Sequence, residues 1–372
     1  MQNNISIISL FIFLSIEIAS ALVSPEQKIL NKLPQYYRNL FSCQSSINED
    51  FWIKREKDEA LFKTALRRYQ TGNYGGIIII GEQNSGKTAF CRNITGKLFR
   101  KEKAFHLFPL QEGSSIINDF LNELQKVTNI QGSLSEIIEN LPAESTIIIH
   151  DLELWWNRSE SGWETVEFIA KTINQYSSKV LFVVNTNPHA FNLMNKVINL
   201  QNEFIQVIPL MPFDSRDLQE MIMRRHRSSG LRFKIGSHEE EQLSEIRAAR
   251  LFNKYFDYSE GNPGTALLGW MSNIQKINDQ TILIQQPHIP EIRVLSEMND
   301  DWKTLLVQII IHKRLTRNRI AGIFHSDEAK SDEIINSLWR TGLIEQRQKD
   351  IFVINHYIEP HLLKVFKAEH LL

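Results

Sequence analysis

Short apolar segments alternate with amphipathic ones through the middle of the chain. The apolar segments have strand length and are rich in isoleucine, valine and phenylalanine, and they cover 77–80, 105–108, 146–151, 179–184 and 204–208. The segments between and before them have a helix-like pattern, at 56–69, 89–100, 116–127, 134–141 and 162–176. Alternation of this kind predicts an α/β fold with a mostly parallel sheet and helices on both faces.

After residue 290 the pattern changes. Helix-like segments at 302–313, 319–324 and 331–340 are followed by two apolar segments, 343–345 and 351–354, which enclose polar residues and predict a hairpin. Three helices and a hairpin are the winged-helix arrangement. In DNA readers of the helix-turn-helix type, the recognition helix enters the major groove. Here the start of the third helix is acidic, with Asp327, Glu328, Asp332 and Glu333. The sequence therefore does not favour DNA contact, although a basic cluster precedes this helix, at Lys313, Arg314, Arg317 and Arg319.

Residues 5–23 form one apolar segment with a single acid, Glu17. About twenty apolar residues suffice for a helix to span a bilayer. Basic residues follow it, at Lys28, Lys32 and Arg38, and the positive-inside rule then predicts a single-pass anchor with the rest of the chain in the cytoplasm. A cleaved signal peptide is an alternative, because residues 19–21 resemble a cleavage site, but residues 1–4 lack a basic residue. A buried helix of a purely cytoplasmic protein is the third interpretation.

Composition narrows the functional classes only slightly. The length of 372 residues corresponds to two or three domains, and the net charge of −1 gives no general affinity for nucleic acid. The two cysteines, Cys43 and Cys91, lie far apart and provide neither a disulfide framework nor a zinc-binding pattern.

The most specific motif follows the apolar segment 77–80. It fits the pattern G-x-x-x-x-G-K-[ST] with Gly81, Glu82, Gln83, Asn84, Ser85, Gly86, Lys87 and Thr88, and Ala89 continues into a helix-like segment. Backbone N–H groups of such a loop and the start of its helix bind phosphates. Lys87 is predicted to contact the β- and γ-phosphates of ATP, and the Thr88 hydroxyl to bind Mg²⁺.

Polar residues at the ends of two later strands are expected at the same sheet edge, because ligands bind at the carboxyl ends of parallel strands. Asp151 follows 146–149 and is predicted to face Mg²⁺, and Glu153 is a candidate base for the attacking water. Leu152 separates the two acids, which weakens the role of Glu153. Asn185 is a candidate sensor of the γ-phosphate. The alternative for each of these residues is an ordinary role at a strand end or turn.

These residues together resemble the AAA+ and STAND branch of P-loop ATPases. The resemblance rests on Arg55, Glu56, the loop 81–88, Asp151, Asn185, residues 208–210, residues 217–225 and the segment 260–267 (EGNPGTAL). Residues 34–41 (PQYYRNLF) also resemble the start of a group of bacterial ATP-binding proteins. The family implies a helical lid after the sheet, with ATP and Mg²⁺ as cofactors.

We therefore expect a membrane-anchor or signal-like segment at 1–24, a lead-in at 25–50, a P-loop ATPase core at 51–212, a helical lid at 213–290 and a winged-helix-like domain at 291–372. The chain departs from AAA+ ring motors in two respects. Residues 188–207 contain no arginine that could serve as a finger, and the lid element at 262–264 (NPG) has no arginine where a second sensor would lie. These departures favour a slowly hydrolysing, STAND-like regulatory switch, tethered to the membrane through 5–23, that associates with itself or with a protein partner. The alternative is a DNA-directed AAA+ ATPase of the origin-recognition or transposition-loader type.

Overall fold

The computed structural model describes residues 7–42, 49–287, 293–324, 328–348 and 350–372. Cys43 lies outside these ranges, and Cys91 is a buried free thiol. We refer to residues 213–287 as the lid and to residues 293–372 as the C-terminal unit.

The N-terminal segment contains three helices, α1 (Ile7–Val23), α2 (Gln27–Lys32) and α3 (Gln35–Leu40). The predicted single-pass membrane anchor is wrong: no helix in the described ranges is both long and apolar enough to cross a bilayer. Helix α1 instead lies against the C-terminal unit. Ile16 is buried there, the Ser20 hydroxyl donates to the Gly342 carbonyl at 2.9 Å, and Phe13 packs edge-on against Trp302. Apolar side chains of this helix, including Ile16 and Val23, are therefore buried against protein, and the membrane localisation predicted from residues 5–23 is wrong.

The core sheet has five parallel strands in the order β2-β3-β4-β1-β5. Alternate residues of β1 enter different hydrophobic clusters, Ile78 and Ile80 on one face and Ile77 and Ile79 on the other. Both faces are covered, which confirms the predicted fold class. The elements of this part are α4 (Glu56–Gln70), β1 (Gly76–Ile80), α5 (Lys87–Leu98), β2 (Ala104–Leu107), α6 (Ile117–Thr128), α7 (Leu134–Asn140), β3 (Thr146–Ile149), α8 (Glu164–Tyr176), β4 (Leu181–Thr186), α9 (Pro188–Ile198) and β5 (Phe204–Pro209).

The lid contains three helices and also a small sheet that the sequence did not predict. Its elements are α10 (Ser215–Ser228), β6 (Arg232–Ile235), β7 (His238–Glu239), α11 (Glu245–Ser259), α12 (Pro263–Ser272), β8 (Ile274–Asn278) and β9 (Thr281–Ile284). The strand order is β7-β6-β9-β8. Three of these strands are short and largely polar (RFKI, HE and IQKIN), and only β9 (TILI) contains a short apolar run among the described lid strands. Trp270 is fully buried at the centre of the lid, and its indole N–H donates to the hydroxyl of Tyr37 in α3 at 2.8 Å.

The C-terminal unit has the predicted three helices and hairpin. Its elements are α13 (Arg293–Ser296), α14 (Asp300–His312), β10 (Leu315–Thr316), α15 (Arg317–Phe324), α16 (Glu328–Arg340), β11 (Ile344–Gln348), β12 (Ile351–Ile354) and α17 (Glu359–Ala368). The strand order is β10-β12-β11, all antiparallel. Leu305 and Ile309 of α14 belong to the same hydrophobic cluster as Ile149 of the core sheet. The unit therefore packs directly on the core, beside the carboxyl end of β3.

Candidate nucleotide site

The phosphate loop connects β1 to α5, as predicted. Gly86 has a left-handed backbone (φ +87°), and α5 begins at Lys87, so Thr88 and Ala89 lie in its first turn. The Lys87 ammonium is buried and donates to the carbonyl oxygens of Gly81 at 2.6 Å and Glu82 at 3.0 Å. Burial lowers the pKa of Lys87 below its usual value, although the nearby carboxylates of Glu153 and Asp151 act in the opposite direction. The loop thus places a lysine and a helix N-terminus at one point, the chemistry of a phosphate site.

Two other parts of the chain hold the outer side of this loop. The Arg55 guanidinium donates to the Ser85 carbonyl at 2.7 Å and to the Met211 carbonyl at 2.7 Å. From the lid, the Asn262 side chain donates to the Gln83 carbonyl at 2.8 Å, and the Gly264 N–H donates to the Asn84 carbonyl at 3.1 Å. The segment 260–267 therefore joins the end of α11 to the start of α12 and contacts the loop directly.

Asp151 follows β3 in a left-handed conformation (φ +51°) and is buried. Its backbone N–H donates to the Asn185 side-chain oxygen at 3.0 Å. Its carboxylate lies 2.8 Å from the Lys313 ammonium of the C-terminal unit. Burial alone would raise the pKa of Asp151, but the ammonium groups of Lys313 and Lys87 outweigh it, and the pKa lies below its usual range. Asp151 is therefore ionised and paired.

Glu153 lies on the short turn after Asp151 and is fully buried. One carboxylate oxygen accepts the Asn187 N–H at 3.3 Å, and the other has no hydrogen-bond partner within the described residues. Burial raises the pKa of Glu153, and the negative charge of Asp151 raises it further, while Lys87 and Lys313 act in the opposite direction. One electrostatic cluster at the sheet edge thus contains four ionisable side chains, those of Lys87, Asp151, Glu153 and Lys313.

The side chain of Asn185 in β4 makes its hydrogen bonds to other groups of the protein. Besides accepting from Asp151, its amide nitrogen lies 2.6 Å from His150 Nδ1 and 3.5 Å from Cys91 Sγ. His150 in turn shares a hydrogen bond of 2.9 Å with His106. Burial lowers the pKa of His150 to about 3 and that of His106 to about 4. The Asn185 amide and the two neutral imidazoles form a series of hydrogen bonds that orients the backbone at Asp151. A sensor role for Asn185 remains a prediction.

Residues of the C-terminal unit also contribute to this site, which the sequence analysis did not predict. Lys313 reaches Asp151, the Arg314 guanidinium donates to the carbonyls of Leu110 (3.1 Å) and Gln111, and the Lys367 ammonium lies 2.7 Å from Glu82 of the phosphate loop. A cleft of about 420 Å³ lies between the loop and the unit, lined by Gln83, Gln111, Lys313, Arg314, Arg347 and Gln348 among others. No local pattern marks these contacts, since they join segments far apart in the sequence.

The basic cluster 313–319 faces the protein in this arrangement. Lys313 and Arg314 contact the core as described, and Arg317 pairs with Asp332 of α16 and lies 3.8 Å from Asp350. Arg319 lies against the backbone turn at Gly113. The cluster is therefore engaged mainly with protein, and 36% of the Arg317 side chain is exposed.

No protein-family model and no curated protein matches this chain. Similar solved structures include the Aeropyrum pernix ORC2 protein in ADPNP–ADP complexes, at 12% identity and a TM-score of 0.52 over 90% of this chain and 99% of that one. A Walker-type ATPase of Pyrococcus abyssi matches at 12% identity and a TM-score of 0.48, covering 88% and 99% of the two chains. The Aeropyrum pernix ORC1 protein in complex with DNA matches at 13% identity and a TM-score of 0.43, covering 90% and 98%.

At this level of identity the likeness shows the fold. It extends over nearly the whole of both chains in the ORC2 comparison, the only one of the three with a TM-score above 0.5. Neither the STAND branch nor the bacterial group is confirmed by these comparisons. The chain has the fold of an AAA+-type P-loop ATPase, with a parallel core sheet followed by a lid and a winged-helix-like unit.

Proposed function

We propose that this chain binds Mg²⁺·ATP at the phosphate loop and hydrolyses it slowly, and that the bound nucleotide sets the positions of the lid and the C-terminal unit. One observation carries the proposal. Lys87, Asp151 and Glu153 form a buried charged cluster beside a loop that the lid and the C-terminal unit both touch. A change at the phosphates would therefore reach both the lid and the C-terminal unit directly.

Binding would require Lys87 to exchange the carbonyls of Gly81 and Glu82 for phosphate oxygens. Thr88 and Asp151 would hold Mg²⁺, which would neutralise phosphate charge. The residues fit this ion, because Asp151 is a buried, ionised carboxylate that already faces a cation, and Thr88 adjoins Lys87 in the first turn of α5.

Slow hydrolysis is proposed because the described site offers little to stabilise the transition state. It does not rest on Glu153, since a raised pKa makes an ionised carboxylate a stronger base. The segment 188–207 contains no arginine to stabilise the transition state, and Asn185 already serves Asp151. Self-association or a protein partner would be needed to supply a further cation.

The direct test is calorimetric binding of Mg²⁺·ATP by the full chain and by Lys87→Ala. We expect measurable binding by the wild type and its loss or strong weakening in the variant, because the substitution removes the ammonium that faces the β- and γ-phosphates.

A DNA-directed ATPase is the second candidate, favoured by the likeness to the ORC2 protein and by the winged-helix-like unit. Each lost phosphate contact lowers the salt dependence of DNA binding by about one unit of slope. If this unit binds DNA, Arg317→Ala/Arg319→Ala should flatten that slope by about two units. We expect little sequence-specific retention of duplex DNA by the full chain, because this cluster contacts protein. Nanomolar, sequence-dependent binding at physiological salt, flattened in the double variant, would favour the DNA-directed function instead.

A further inference from the structure

Lys313 lies on an unusual turn at the end of α14. Its backbone has φ +66° and ψ −36°, and the Arg314 N–H donates to the His312 carbonyl at 2.7 Å. This is a γ-turn with positive φ at its centre, a strained conformation for a residue with a Cβ atom. Strain of this kind persists only where the surroundings enforce it, and it is concentrated at functional sites.

Contacts on both sides fix the turn against the core. The buried His312 ring packs on Trp156 with 4.1 Å between ring centroids, and the Asn187 side chain donates to the Ile311 carbonyl at 2.8 Å. After the turn, Arg314 donates to the Leu110 carbonyl. The turn is thereby held where the Lys313 side chain reaches the end of β3.

Lys313 has a defined electrostatic partner there. Its side chain is 22% exposed and that of Asp151 is 11% exposed, with 2.8 Å between the charged atoms. Two other cations are nearby, but Lys87 donates to the loop carbonyls of Gly81 and Glu82, and Arg314 donates to the carbonyls of Leu110 and Gln111. Lys313 is therefore the cation that directly balances Asp151, the carboxylate predicted to face Mg²⁺.

We propose that Lys313 and Mg²⁺ compete for Asp151, so that binding of a magnesium–nucleotide releases the 312–314 turn of the C-terminal unit from the core. The proposal rests on the proposed function and adds its regulation. The Lys313 ammonium and Mg²⁺ are both cations, so each repels the other when both approach the Asp151 carboxylate. Strain at Lys313 favours release, while the contacts of His312 and Arg314 with the core oppose it, so the turn stays in place until the magnesium–nucleotide binds.

A second pair distinguishes this exchange from general loosening of the C-terminal unit. Lys367 of α17 lies 2.7 Å from Glu82, and His189 lies 3.2 Å from the same carboxylate. This pair also ties the unit to the phosphate loop but does not involve a predicted metal ligand. Its removal should loosen the unit without a specific effect on the magnesium dependence of binding.

The test is calorimetric binding of ADP by the full chain with Mg²⁺ and with a chelator, for wild type and Lys313→Met. The measured quantity is the ratio of the dissociation constant without Mg²⁺ to that with Mg²⁺. We expect Lys313→Met to raise this ratio about tenfold, within the range of about 5- to 150-fold typical of coupled sites. Lys367→Met should leave the ratio unchanged, as should Lys330→Met, an exposed lysine that pairs with Asp301 within the C-terminal unit. On an Asp151→Asn background, Lys313→Met should have no further effect on the ratio.

Hydrogen exchange of the wild-type chain gives a second measurement that needs no substitution. Amides at 312–316 should exchange faster with Mg²⁺·ADP than with ADP alone. A ratio that is unchanged or lower in Lys313→Met, or exchange at 312–316 that does not respond to Mg²⁺, would overturn the competition while leaving nucleotide binding intact. A wild-type chain that binds no nucleotide under either condition would overturn the proposed function and this inference together.

Discussion

At the scale of single residues, the nucleotide site combines a contiguous loop, which holds the Lys87 ammonium, with side chains from distant parts of the chain, such as Lys313. The phosphate loop could be predicted because its chemistry is local. Residues 81–88 are consecutive, so their pattern survives in the sequence, and Asp151 follows from the position of a strand end. Lys313 and Lys367 could not be predicted. Their partners, Asp151 and Glu82, are distant in sequence, and the same lysines fit a solvent-exposed basic surface equally well.

Gly264 provides a residue-scale prediction about the lid. A Cβ atom there would lie 2.5 Å from the Asn84 Cβ and 2.8 Å from the Asn84 carbonyl oxygen. Because backbone must move to relieve this contact, Gly264→Ala should destabilise the chain by about 1–3 kcal/mol, despite the better helix propensity of alanine. Urea unfolding measures the change.

Gly96 in α5 is the matched control, since nothing lies within 4 Å of a Cβ atom there. Gly96→Ala should be neutral or stabilising by up to about 1 kcal/mol. Equal stability changes in the two variants would show that the lid does not press on the phosphate loop.

At the scale of elements, the sequence predicted the core well and two other segments poorly. Strands buried on both faces, such as β1, are continuous apolar runs and are easily recognised. The lid strands were not predicted because they are short and partly polar, as the sequence RFKI of β6 illustrates. The membrane anchor predicted for α1 is wrong because a helix packed on protein and a helix packed in lipid can have the same apolar composition.

The packing of α1 predicts the effect of its removal. Deleting residues 1–24 should destabilise the C-terminal unit, because Ile16 and Val23 are buried and Ser20 donates to the Gly342 carbonyl. Loss of these contacts should cost at least about 2 kcal/mol, a typical value for one large buried apolar side chain. Urea unfolding followed by tryptophan fluorescence checks it, with Leu22→Ala, an exposed position of the same helix, as the control. A truncated chain as stable as the full one would show that α1 does not contribute to the fold.

At the scale of the whole molecule, three parts converge on one loop. The core supplies the phosphate loop and the carboxylates, the lid contacts Gln83 and Asn84, and the C-terminal unit contacts Glu82 and Asp151. The order of these parts could be read from the sequence, but their convergence depends on tertiary packing. An arrangement in which two units share contacts with the phosphate loop is suited to a nucleotide-dependent switch.

The most direct test of this account is the affinity of the full chain for Mg²⁺·ATP, measured by calorimetry alongside Lys87→Ala and Lys97→Ala. Lys97 is the matched control, because it lies on the same helix but pairs with Glu59, away from the loop. The account predicts that wild type and Lys97→Ala bind with similar affinity and that Lys87→Ala binds far more weakly or not at all. Binding by Lys87→Ala as tight as that of the wild type would contradict the assignment of the nucleotide site.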